Sequence, residues 1–196
     1  MLDQYLLLTD DQTRKLDLLY KLHMSATINL TSIKNREDFY LKHYLDSIKI
    51  FKMQTFLFDC LVDVGSGGGF PGLVVAIFYP ESMVYLVESK KKKCFFLRNA
   101  VSKLKLENVL VVNKRVEDIR GIKADIITAR GVCSVKDILR FSKNVSRETT
   151  KWILYKGTQI DNEINDAKRV LDKNNLRIMN VRVEEPFKRT YCIICR

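Results

Sequence analysis

The residue types in this chain best suited to chemistry lie in Leu61-Val-Asp-Val-Gly-Ser-Gly-Gly-Gly-Phe-Pro-Gly72. An apolar run ends at Val64. Glycines follow at 65, 67 and 69, and Pro71 suits the first position of a helix, where its missing N–H costs nothing. A glycine loop between a strand and a helix lets the backbone approach a ligand closely and adopt positive φ. In a parallel sheet such a loop lies beyond the carboxyl ends of the strands, where ligands bind. Glu88 closes the next apolar run, at a place suited to gripping ribose hydroxyls. Gly65, Gly67 and Glu88 are thus candidate ligands of a ribose-bearing cofactor.

Two cofactor classes fit a loop of this kind. The dinucleotide fingerprint G-x-G-x-x-G requires its third glycine at position 70, which is Phe70. The glycines fall instead at every second residue after the acidic Asp63. That Asp-x-Gly-x-Gly-x-Gly run is similar to the first motif of S-adenosylmethionine-dependent methyltransferases. S-adenosylmethionine has no pyrophosphate to seat on a helix N-terminus, so the third glycine is dispensable. The spacing favours the methyltransferase over the dehydrogenase. A purely structural glycine turn is the plainer alternative.

Charge points to the substrate. The chain carries 34 Lys and Arg against 23 Asp and Glu, a formal net of +11. Residues 1–30 hold three basic and four acidic residues, a net of −1. Residues 89–115 hold nine basic residues, among them Lys90, Lys91, Lys92, Lys93, Arg98 and Arg115, against Glu107 alone, a net of +8. Such a lopsided segment is the expected footprint of a phosphate-backbone partner, although charge runs are often only solvated faces. Four lysines where a helix opens also oppose the helix dipole, which favours an anion nearby.

Several other chemistries lack their residues. Methylation at C5 of a pyrimidine needs a cysteine nucleophile, usually in a Pro-Cys pair, and none of Pro71, Pro80 and Pro186 precedes a cysteine. Methylation of exocyclic amines commonly uses an Asn- or Asp-Pro-Pro-aromatic turn, where this chain has Thr128-Ala-Arg-Gly131. Guanine N7 has an in-plane lone pair and no proton, so its methylation needs no general base and can rest on alignment and the local field. Cys192 and Cys195 sit in a strand-like run, three apart and so on opposite faces, which argues against a shared metal; His23 and His43 are the only histidines.

The elements that must position these residues follow from hydrophobic texture. Thr9-Asp-Asp-Gln12 has capping-box spacing before Leu16, Leu19, Tyr20 and Leu22, and residues 36–53 show a second helical face. From Phe58 onward, short Val- and Ile-rich runs at 60–64, 83–87, 109–112, 125–128 and 152–155 predict strands. Helices are predicted at 71–79, 90–105, 134–144 and 161–172. Strands at 176–183 and 190–195 follow one another directly and should pair antiparallel. The expected fold class is α/β: a Rossmann-like class I methyltransferase sheet of seven strands, mostly parallel with an antiparallel last strand, plus an N-terminal helical cap. Residues 1–55 would form the cap and 56–196 the methyltransferase domain, as one structural unit.

With 196 residues, 46% of them hydrophobic, the chain can bury the core of one ordinary domain. No apolar run approaches the ~18 residues of a membrane span, and residues 1–9 lack the features of a signal peptide. Five scattered cysteines fit thiols in a reducing compartment. The expectation is a cytoplasmic protein without membrane or metal partners, acting as a monomer.

With Phe70-Pro71-Gly72 included, the chain resembles the RsmG family (glucose-inhibited division protein B), the bacterial small-subunit rRNA methyltransferases. The likeness runs through Asn29-Leu-Thr-Ser-Ile33, His43-Tyr-Leu-Asp-Ser47, the 65–72 loop, Leu104-Lys-Leu-Glu-Asn108, Arg115-Val-Glu117, Ala129-Arg130 and Tyr155-Lys-Gly157, in the family's order. It implies methyl transfer from S-adenosylmethionine to N7 of a guanine in 16S rRNA, on rRNA or the small ribosomal subunit. By that resemblance Gly65 and Phe70 contact the cofactor from the loop, Val116 and Glu117 bracket the adenine, Glu88 takes the ribose, and Arg130 sits at the mouth of the site with the cofactor. Arg130 as an ion-pair partner, Lys156 as a surface residue and His43 as a helix residue are the plain alternatives. For the whole protein the alternatives are a small-molecule methyltransferase and a non-catalytic RNA-binding module.

Overall fold

The computed structural model describes residues 2–157 and 160–196. Helix α1 (Asp10–Met24) opens on Thr9, whose hydroxyl accepts from the Gln12 amide while the Gln12 side chain accepts from the Thr9 amide. The second helical stretch is not one continuous α-helix. It divides into α2 (Arg36–Phe39), a π-helical segment Tyr40–Leu45 and α3 (Asp46–Met53). π-segments often mark functional sites, and this one carries His43 and ends against Asp46.

Seven strands follow: β1 (Cys60–Val64), β2 (Met83–Val87), β3 (Val109–Val112), β4 (Ile126–Arg130), β5 (Lys151–Lys156), β6 (Arg177–Val183) and β7 (Arg189–Cys195). They are interleaved with α4 (Gly72–Phe78), α5 (Lys91–Leu104), α6 (Val135–Phe141) and α7 (Asp161–Lys173). The strand order is β3-β2-β1-β4-β5-β7-β6. Neighbours from β3 to β5 pair parallel, while β7 pairs antiparallel with both β5 and β6. The expected sheet is therefore present, with β7 as its one reversed strand.

Element ends differ from expectation by small amounts with clear causes. Pro71 occupies the N-cap and α4 begins at Gly72. Strand β4 runs two residues past Thr128, because Ala129 and Arg130 keep pairing with Leu154 and Tyr155. Helix α6 stops at Phe141 and passes into a 3₁₀ turn, Ser142–Asn144.

Alternation along the strands divides the core in two. Leu61, Ile153, Tyr191 and Ile193 join one cluster, to which the N-terminal helices add Leu16, Leu19, Phe39 and Ile48. Val62, Leu154, Cys192 and Ile194 join the other, with Val135, Ile138, Ala167 and Leu171 from α6 and α7. The N-terminal helices therefore share a core with one face of the sheet rather than standing apart. Tyr191 and Cys192 face opposite cores, so Cys192 and Cys195, at odd spacing, point to opposite faces of β7.

Candidate active site

The register Val87↔Val64↔Ala129 brings the carboxyl ends of β2, β1 and β4 level, so Gly65, Glu88 and Arg130 emerge on one edge of the sheet. The loop after β1 is tied down from both sides. The Gly65 and Ser66 amides donate to the Val87 carbonyl at 2.8 and 3.1 Å. Gly65 has φ +69°, and a Cβ there would lie 2.6 Å from Cγ2 of Val132, so glycine is required both by conformation and by close approach. Asp63 is buried beneath the loop. Its Oδ2 accepts from the Gly72 amide at 3.2 Å and its Oδ1 from Thr128 Oγ1 at 2.7 Å. Burial pushes its carboxyl up to about 6. The acid preceding the glycines thus holds strand, loop and helix together instead of facing a ligand.

Glu88 ends β2 with both carboxylate oxygens engaged. Oε2 accepts from the Gly67 amide at 3.1 Å and Oε1 from the Lys90 amide at 2.8 Å. A carboxylate has about four lone-pair sites, so each oxygen can accept once more. A cavity of about 420 Å³ opens beside it, lined by Gly65, Glu88, Lys90, Lys93, Arg115, Val116 and Glu117 among others. That size falls within the ~300–1,000 Å³ of small-molecule sites. Val64, Val87, Ile138 and Phe141 add apolar wall suited to a purine. An acceptor for ribose hydroxyls, an apolar slot and a glycine loop are the features an adenosyl cofactor needs.

Gly67, Phe70 and Arg130 do not line this cavity; Gly67 instead gives its amide to Glu88. The Phe70 ring stacks on His43 at 4.4 Å with 4° between planes, and on His23 at 5.0 Å. The Arg130 guanidinium lies over Phe70, 5.2 Å from the ring centroid. Arg130 lines a second cavity of about 800 Å³, with His43, Asp46, Tyr155, Lys156 and Arg189. The two cavities share Gly131, Val132 and Cys133 as a common wall.

Charge in the second cavity is organised around Asp46, whose side chain is fully buried. It accepts from Arg130 Nη1 at 3.2 Å, Arg189 Nε at 2.8 Å and Nη2 at 2.7 Å, and the Tyr191 hydroxyl at 3.2 Å. Two guanidinium groups on one carboxylate leave this part of the cavity positive. Lys156 Nζ donates to Glu163 at 2.6 Å and to the Cys133 carbonyl at 2.7 Å. His43 Nδ1 lies 2.9 Å from Arg130 Nη2 and its Nε2 lies 2.7 Å from Thr31 Oγ1. The guanidinium can only donate, so His43 accepts at Nδ1 and carries its proton on Nε2. Burial, aided by the Arg130 charge, holds its pKa down to about 3. His43 is therefore a neutral positioning residue, unable to serve as a base.

The remaining candidates are dispersed. Lys90, Lys93 and Arg115 border the smaller cavity, while Lys92 lines a separate groove beside α1. Lys91 and Arg98 are exposed on α5. Reading the sequence did not reach Asp46, Arg189 or Tyr191 as site residues. Asp46 falls within the His43–Ser47 stretch, so that stretch carried a signal for it. Nothing local to Arg189 marks it, because its partner is 143 residues away.

A seven-stranded sheet of this order, with a glycine loop after β1 and a carboxylate ending β2, defines the S-adenosylmethionine-dependent methyltransferase fold. A SAM-dependent methyltransferase from Aquifex aeolicus has the same fold, with TM-score 0.61 at 14% identity over 96% of this chain and 100% of that one. A variant of MtNAS in complex with S-adenosylmethionine matches with TM-score 0.61 at 15% identity, over 94% and 76%. Residues 12–192 match the family model for rRNA small subunit methyltransferase G. The Ribosomal RNA small subunit methyltransferase G of Mycoplasma capricolum subsp. capricolum is 34% identical over 171 residues, 85% of this chain and 74% of that protein. The protein of the same name from Christiangramia forsetii is 38% identical over 168 residues, 81% and 79%. The chain belongs to the rRNA small subunit methyltransferase G family.

Proposed function

We propose that this protein transfers the methyl group of S-adenosylmethionine to N7 of a guanine in 16S rRNA. The observation that supports this reading best, in a chain of this family, is the pair of cavities sharing the 131–133 wall. The smaller would hold the cofactor, with Glu88 on the ribose, Val116 and Glu117 on the adenine and Gly65 against its backbone-facing side. When bound, S-adenosylmethionine supplies an electrophilic sulfonium methyl. The larger cavity would receive the target nucleotide.

The chain's own residues do little covalent work in this reading. Guanine N7 attacks through a lone pair, so no side chain need remove a proton, and the one histidine of the larger cavity is held neutral with both nitrogens engaged. Arg130, Arg189 and Lys156 give the cavity cationic donors suited to the phosphates flanking the target. Asp46 and Phe70 act as positioning residues, one fixing both guanidinium groups and the other supporting that of Arg130 from below. Lys90, Lys91, Lys92, Lys93, Arg98 and Arg115 would follow the RNA backbone away from the site. Among the described residues, no helix is long and apolar enough to cross a membrane. We further propose that residues 1–55 act as a cap on the catalytic domain, and that the protein works as a cytoplasmic monomer.

The test incubates the purified protein with methyl-labelled S-adenosylmethionine and small ribosomal subunits from cells lacking it. Labelled 7-methylguanosine at a single rRNA position is the expected product. Label on another atom or base would keep the cofactor and remove the N7 assignment. Cofactor binding with no label on subunits or naked rRNA would point to a small-molecule substrate.

A further inference from the structure

Phe95 lies on α5 with 76% of its surface exposed, although its neighbours Cys94, Phe96 and Leu97 are buried. It borders a groove of about 500 Å³ between α5 and the end of α1, together with Leu22, Ala26, Ile28, Phe96 and Lys92. The helical neighbours of Phe95 at three and four residues are Lys91, Lys92, Arg98 and Asn99. None of Lys91, Lys92 and Arg98 holds an ion pair with another described residue. An exposed phenyl ring framed by three free cations makes a poor surface for water and a good one for a nucleobase. Stacking offers the ring a partner of matching area, and the cations meet the attached phosphates.

The same helix also reaches the cofactor cavity. Lys90 and Lys93 line that cavity, while Lys92 and Phe95 line the groove, within about one helical turn along the axis. The two pairs face different sides of the helix, so a strand leaving the site would cross the cationic start of α5 to reach Phe95. We infer that Phe95 is a stacking platform for an unpaired base of the RNA substrate, with Lys92 and Arg98 taking its flanking phosphates. The inference builds on the RNA-methylating function proposed above, and names the part of the surface that distinguishes single-stranded from paired RNA. A second copy of the chain seated on the same ring is the competing occupant.

Because Phe95 is exposed, its replacement should leave the fold intact, and circular dichroism on heating checks this directly. Phe95→Ala should raise KM for small subunits roughly fivefold or more while kcat and cofactor affinity hold, and Phe95→Trp should restore KM. The native chain has one tryptophan, Trp152, which is buried, so Phe95→Trp adds an exposed reporter. A short unpaired oligoribonucleotide should quench its fluorescence, and the same sequence in a duplex should not.

An unchanged KM in Phe95→Ala together with an unquenched Phe95→Trp would overturn the inference. So would sedimentation showing that Phe95→Ala converts a dimer to a monomer without affecting oligoribonucleotide binding. The two readings separate cleanly. Wild-type protein that labels no RNA, with quenching intact, removes the methyl-transfer reading and keeps the platform. Normal labelling without quenching or a KM effect removes the platform alone.

Discussion

At the residue scale, the site works through side chains whose protonation and hydrogen bonds are fixed by burial. Glu88 joins loop to helix through the Gly67 and Lys90 amides and still faces the smaller cavity. Replacing it with alanine removes two charge-assisted hydrogen bonds and the acceptor proposed for the ribose. Cofactor affinity, read by titration calorimetry, should fall at least about tenfold, since bonds to charged groups contribute ~1.5–3 kcal/mol each. Wild-type affinity in that variant would remove Glu88 from the site. His43 makes a prediction about pH. Its folded pKa of about 3 lies below the unfolded value of 6.5, so the unfolded chain binds the extra proton as pH falls between them. Stability from this residue is therefore full above pH 6.5 and is lost on acidification. At 1.36 kcal/mol per unit the loss is about 2 kcal/mol by pH 5. Asp63, raised to about 6, acts oppositely over part of the same range, so the comparison must be between wild type and His43→Gln. The wild-type advantage in urea unfolding should shrink by about 2 kcal/mol from pH 7 to pH 5, and a constant difference would contradict a neutral, buried His43.

At the element scale, the loop after β1 and the loop after β4 are packed as a pair. Gly65→Ala places a methyl 2.6 Å from Val132 Cγ2 in a left-handed backbone conformation. The conformation alone costs roughly 1–2 kcal/mol, and relief of the clash must move the wall shared by the two cavities. Thermal unfolding should show a loss of at least that size, with weaker cofactor binding. Adding Val132→Ala should relieve the clash and leave the conformational cost, so full recovery of stability by the double variant would show that φ does not matter here. Helix α1 is attached to the same loop: His23 Nε2 lies 2.8 Å from the Gly68 carbonyl and its Nδ1 2.9 Å from that of Leu19. Donation to both carbonyls would require an imidazolium, which burial disfavours, so the neutral ring donates to one of them. The elements themselves were largely legible beforehand, because apolar period 2 and period 3.6 mark half-buried surfaces. The π-helical segment was not, since a single extra residue in a helical turn leaves no mark in an apolar pattern.

At the scale of the whole molecule, Asp46 joins three distant pieces of chain: α3 itself, Arg130 ending β4, and Arg189 opening β7. Asp46→Ala would leave two guanidinium groups facing one another without a counter-charge. Breaking a buried ion cluster in this way costs about 3–5 kcal/mol, and urea denaturation should register it; a loss below 1 kcal/mol would mean that water already screens the cluster. Charge behaves similarly at this scale. The run at 89–115 is visible in the sequence, whereas Lys136, Arg140, Lys143, Arg147, Arg169, Lys173 and Arg196 become one basic groove only when α6, α7 and the end of β7 meet. The strand–loop–helix unit, its glycines, the acid ending β2 and the order of helices and strands are legible in the residues alone, because those depend on neighbours within a few residues. The tertiary structure decided which candidates share a cavity. It placed Gly65, Glu88, Val116 and Glu117 together, set Arg130 in the other cavity with Phe70 packed beneath its guanidinium, and supplied Asp46 and Arg189. The reason is physical: a carboxylate becomes fully buried only if cations from elsewhere in the chain reach it, and the sheet register together with the packing of α3 decides which ones can.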